Sequence, residues 1–191
     1  MGKKEKKDRI QDGIEKYLEI QTLYDKTDFG VDSDFAKKFD AFYRVRRNEK
    51  WRKEFFKLFA EVKSKKDSAD FRPILEELQK RVHRTEASFV SKMLHTVNPD
   101  MPIWDSIVLS KLGFSKEVQP YKMRGLHDDE ARLNKCEEVY SELKKWYETE
   151  EATTLEAQFD RDYPEYKDKL GRTKKIDFML WGTNNENEKS V

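Results

Sequence analysis

From Ile10 to Trp181 the apolar residues recur at intervals of three and four almost without a break, a spacing that confines the chain to helices burying one face each. Ile10, Ile14, Tyr17 and Leu18 open the series, and Phe35, Phe39, Phe42 and Tyr43 continue it behind the start signal Asp32-Ser33-Asp34. Trp51, Phe55, Leu58, Phe59 and Val62 form a third stripe. Pro73 then stands where a first-turn proline belongs, ahead of Ile74, Leu75, Leu78 and Val82. A fifth helix is predicted from Thr85 to Val97, ended by Asn98-Pro99-Asp100-Met101-Pro102, because proline has no amide to donate and disfavours helix at the residue before it. Asp105 or Ser106 restarts a short helix that Gly113 stops. Cys136, Val139, Tyr140, Leu143, Trp146 and Tyr147 mark a long acidic helix, and Thr153-Thr154-Leu155-Glu156 has the capping-box pattern of another start. Residues 174–181 fit a short helix or a buried strand, with helix preferred.

The expected architecture is all-α, a single compact multi-helix domain over residues 1–191 with frayed ends at 1–8 and 183–191. Charged residues make up 40% of the chain, but aromatics at 13% supply a core for them to coat. One cysteine, Cys136, excludes an internal disulfide, and with only three histidines it argues against a structural zinc site. With no G-x-x-x-x-G-K-[ST] loop, no H-E-x-x-H and no C-x-x-C either, neither metal nor cofactor is expected. No apolar run approaches the ~20 residues that span a bilayer, so a cytoplasmic protein with no membrane partner is expected.

Charge is balanced in sum, 39 Lys and Arg against 38 Asp and Glu, yet unevenly placed. Residues 37–53 carry eight bases against two acids, and residues 128–165 carry thirteen acids against five bases. Arg44, Arg46, Arg47 and Lys50, interleaved with aromatics, are candidate phosphate contacts for DNA, or else a solvated helix face.

Along the fifth helix Phe89, Val90, Met93, Leu94 and Val97 share one face, while Ser88, Ser91, Lys92 and His95 share the other, which ordinary amphipathicity turns towards solvent. The loop behind it spends two prolines and Trp104 to reach Asp105, a helix N-cap by position. Glu86, at the first turn, is expected to be satisfied by helix-end amides.

This segment, Lys92 on a helix leading through a loop to Pro102-Ile103-Trp104-Asp105, resembles the helix-hairpin-helix DNA glycosylases of the 8-oxoguanine type. The resemblance implies a DNA-glycosylase-like fold and a base-excision activity in which Lys92 attacks the sugar C1′ and Asp105 stabilises the developing positive charge. Ser88, His95 and Trp104 would belong to the pocket, Trp104 as an aromatic wall for a flipped base. The family's glycine-rich hairpin has no counterpart, since residues 82–91 contain no glycine. A wider resemblance, carried by Phe42-Tyr43-Arg44-Val45-Arg46-Arg47, Ser88-Phe89-Val90-Ser91-Lys92, Pro102-Ile103-Trp104-Asp105-Ser106 and Lys175-Ile176-Asp177-Phe178-Met179-Leu180-Trp181, is to an uncharacterised bacterial and phage-associated protein family. It implies no activity, and leaves open a non-catalytic module of a phage-related or host-defence system that binds a protein partner. Oligomeric state is not legible in the sequence.

Overall fold

The structure is a computed structural model that describes residues 3–26, 29–31, 33–114 and 128–182. Among these residues the chain forms nine α-helices and two short 3-10 turns, with no strand. The helices are α1 (Lys3–Lys26), α2 (Asp34–Tyr43), α3 (Glu49–Ser64), α4 (Phe71–Val82), α5 (Ala87–Val97), α6 (Ser106–Lys111), α7 (Asp129–Trp146), α8 (Glu150–Asp162) and α9 (Arg172–Gly182).

Most starts carry a side-chain cap that satisfies one of the orphan amides of the first turn. Ser33 accepts from Ala36 N at 3.1 Å, Asn48 from Trp51 N at 2.9 Å and Asp128 from Ala131 N at 2.6 Å. The expected start at Thr153 is corrected: Thr149 is the N-cap of α8, and Thr153 lies inside the helix with its hydroxyl bonded back to Thr149 O. The capping-box motif was present, but Thr149 meets the chain first after the break at Tyr147 and Glu148. Of the ends expected to fray, residues 3–8 are part of α1, and residues 1–2 and 183–191 lie outside the described residues.

The buried side chains form two clusters. The larger gathers Phe35, Phe39, Phe55, Phe56 and Phe59 of α2 and α3 with the apolar faces of α4, α5 and α7. The smaller gathers Ile10, Ile14 and Tyr17 of α1 with Phe159 of α8 and Phe178 and Met179 of α9. Phe42 and Leu155 pack against both. Ion pairs tie the layers at their edges: Arg72 of α4 reaches Glu130 and Glu137 of α7, and Lys175 of α9 reaches Asp160 of α8 at 2.8 Å.

Residues 174–181 are helical, as preferred, and residues 173–180 of α9 are all buried. A helix packed on all sides has no solvent face to give its sequence a period, which is why spacing alone left helix and strand open.

Candidate active site

The polar stripe of α5 is not solvated, contrary to the ordinary reading of an amphipathic helix. Ser91 and His95 are 0% exposed and Lys92 7%. Each has a partner instead. Lys92 Nζ donates to Ser88 Oγ at 2.7 Å and stands 5.7 Å from the centre of the Tyr43 ring and 5.3 Å from that of Phe89. Ser91 Oγ donates to Ser88 O and accepts from Trp104 N, both at 2.9 Å. His95 bonds Met101 O through Nδ1 at 2.7 Å and Tyr17 OH through Nε2 at 3.0 Å. Two of these bonds, with that from Tyr140 OH to Pro102 O at 2.9 Å, pin the proline loop to the helices around it. Pinned in this way, the loop delivers Asp105 to a fixed place.

That place is a cleft of about 490 Å³ to which five segments contribute. Lys92 and Asp105 both line it. α1 supplies Arg9, Gly13 and Lys16, the end of α2 supplies Phe42, Tyr43 and Arg44, and α9 supplies Lys174, Asp177, Phe178 and Trp181. The two roles weighed for Asp105 coexist: Oδ1 accepts from Ile107 N at 2.8 Å, capping α6, while the residue faces the cleft. Arg44 enters through the left-handed C-cap of α2 (φ 52°), a conformation that costs a non-glycine residue about 1 kcal/mol. Gly13 lets α1 approach α9, since a Cβ there would stand 3.1 Å from Phe178 Cε1.

The electrostatics suit a reactive amine. Burial pushes the Lys92 ammonium below the ordinary lysine range and the nearby Lys174 cation adds to this, while Asp105, Asp177 and Glu86 pull the other way. Burial also raises the Asp177 carboxyl, against the opposing pull of Lys174.

Other expected site residues are placed elsewhere. His95 and Trp104 do not line the cleft: His95 is a strut between α1, α5 and the loop, and the Trp104 ring lies in the core, stacked over Phe71 at 6.4 Å. Ser88 holds Lys92 without lining the cleft itself. Of the four basic residues, Arg44, Arg46 and Lys50 are exposed. Arg47 is engaged in a two-pronged bond to Glu86 at 3.1 and 3.0 Å and stacks over Trp51 and Phe89. This corrects the expectation for Glu86 as well, whose buried carboxylate is met by Arg47 and Arg84 rather than by helix-end amides. Lys174 and Asp177 are the site residues that the sequence did not single out, because a charge on a buried helix reads like a charge on a surface one.

Among the described residues no group of three or more His, Cys, Asp or Glu could hold a metal ion, and no helix is long and apolar enough to cross a membrane. Comparison of the chain with protein-family models, with curated proteins and with solved structures gives no match.

Proposed function

We propose that the protein acts on DNA as a base-excision-type enzyme, with Lys92 as nucleophile and Asp105 as the group that stabilises positive charge on the reacting sugar. The observation that carries this reading is the meeting of a buried, partly desolvated lysine and an aspartate in one cleft, with Arg44 at its mouth. The aromatic rings of Tyr43, Phe42 and Trp181 offer a flipped base its walls, in place of Trp104. Arg44, Arg46 and Lys50 give the backbone phosphates their contacts. The local resemblance to the helix-hairpin-helix glycosylases points the same way. A protein-partner module would draw on the acids of α7, but several of these are already paired to Arg72, Arg132, Lys135 and Lys145.

The test uses fluorescent duplex DNA carrying an abasic site. The Lys92 amine condenses with the C1′ aldehyde of the opened sugar with loss of water, and borohydride reduces the imine to a stable link. Wild-type protein should bind with affinity that falls as salt rises, and should be trapped covalently. Lys92→Gln should bind and not be trapped. Reversing Arg44, Arg46 and Lys50 to glutamate should weaken binding and flatten its salt dependence, by up to about 0.9 in log–log slope per lost phosphate contact. Absence of binding at low salt by the folded protein, or undiminished trapping of Lys92→Gln, overturns the proposal.

A further inference from the structure

α9 brings a second pair of charges into the cleft. Lys174 is 3% and Asp177 8% exposed, and Lys174 Nζ donates to Asp177 Oδ2 at 2.9 Å. Desolvating an ion pair generally gains no stability over an apolar pair of the same volume, so fold stability does not explain why these two charges sit on a helix buried on every side. Asp177 Oδ1 makes no hydrogen bond of good geometry, and neither does the buried Tyr147 hydroxyl near the same carboxylate. Lys174 Nζ lies 6.0 Å from the centre of the Tyr43 ring, and Lys92 Nζ lies 5.7 Å from the same centre. Two ammonium groups thus share one ring and one cleft, but their partners differ: Lys174 is bonded to a carboxylate, Lys92 only to the Ser88 hydroxyl.

We propose that Lys174 and Asp177 are positioning residues that tune the buried Lys92 amine from one wall of the cleft: the Lys174 cation favours its neutral form and the Asp177 carboxylate its charged form. This rests on Lys92 being the nucleophile, and it divides two lysines of one cleft into a field source and a reacting group. The other groups facing Lys92 are Asp105 and Glu86 at the ends of the connecting loops and Tyr43 of α2, with Arg9, Asp12, Lys16 and Arg44 at the rim. They are common to every variant below, so differences between variants report on the pair.

The experiment is a pH titration of lysine side-chain carbon resonances in protein labelled with carbon-13 lysine, with Lys92 assigned through Lys92→Gln. It needs no DNA, so its outcome is separate from that of the trapping assay. In the wild type Lys92 should titrate below the surface lysines. Lys174→Met should move its midpoint up by about one pH unit, roughly a tenfold loss of neutral amine at a given pH. Asp177→Asn should move it down, and Lys174→Arg, which keeps the cation, should leave it near the wild-type value. Opposite shifts for the two members of one buried pair are not produced by loosened packing. Should Lys174→Met fail to fold, the contrast between Lys174→Arg and Asp177→Asn decides the matter. A wild-type Lys92 midpoint equal to that of the surface lysines, or the same midpoint in Asp177→Asn and Lys174→Arg, overturns the proposal.

Discussion

His95 shows how a residue type can point to chemistry while its bonds point to structure. Because a carbonyl only accepts, the contact with Met101 O places the proton on Nδ1, which leaves Nε2 to accept from the Tyr17 hydroxyl. Gln21 in turn donates to the Tyr17 oxygen at 3.0 Å. This chain needs a neutral ring, and burial pushes the imidazole pKa down to about 3. An unfolded chain would protonate the same ring near ~6.5. Between those values the unfolded state binds a proton that the folded state refuses. Stability from this group is therefore complete above about 6.5 and lost as pH falls towards 3, at about 1.4 kcal/mol per pH unit. Asp40 and Asp177, raised by burial, act with the opposite sign as pH rises above the unfolded carboxylate value, so the wild-type curve alone is mixed. Urea unfolding of wild type and His95→Gln between pH 6 and 4 separates them: the wild type should lose stability more steeply than the variant. Parallel curves would show that His95 is not the group refusing the proton.

At the scale of the element, α5 and its loop decide where the site is. The Ser91 hydroxyl is the joint, since it takes the buried Trp104 amide three residues after Met101. Ser91→Ala should cost about 1–3 kcal/mol by orphaning that amide, while Ser110→Ala on an exposed face of α6 should stay within about 0.5 kcal/mol. Equal urea midpoints for the two variants would remove Ser91 from this role. The stripes of α2, α3 and α4 were legible because each has one wet face and one dry face. The stripe on α5 was equally legible as a division, but a period tells only that two faces differ, not that the polar one meets water. Here it meets Tyr43, Tyr17 and the loop. Lys92 and Asp105, which line one cleft, could be paired as candidates from sequence because a helix, a proline loop and an aspartate follow one another along the chain. Lys174 and Asp177 join them only through tertiary packing, and nothing near them in sequence marks their burial.

For the whole molecule, the two core clusters share Phe42 and Leu155 and should melt as one. Leu75→Ala in the larger and Phe159→Ala in the smaller should each lower stability by about 2–5 kcal/mol while leaving one transition, coincident by circular dichroism and tryptophan fluorescence. Two separated transitions in either variant would mean that the clusters are independent units. The cleft depends on this unity, because its walls come from α1 and from α9. Tyr166 reaches Glu15 at 3.0 Å across 151 residues of chain. On a ribosome adding 5–20 residues each second, the part of the apolar face of α1 that packs on α8 and α9 would wait roughly 8–30 s for the elements that cover it. Ile10 and Ile14 therefore emerge as a temporarily uncovered strip, open to chaperones or to the same strip on a neighbouring nascent chain, and the pocket exists only once translation has passed α9.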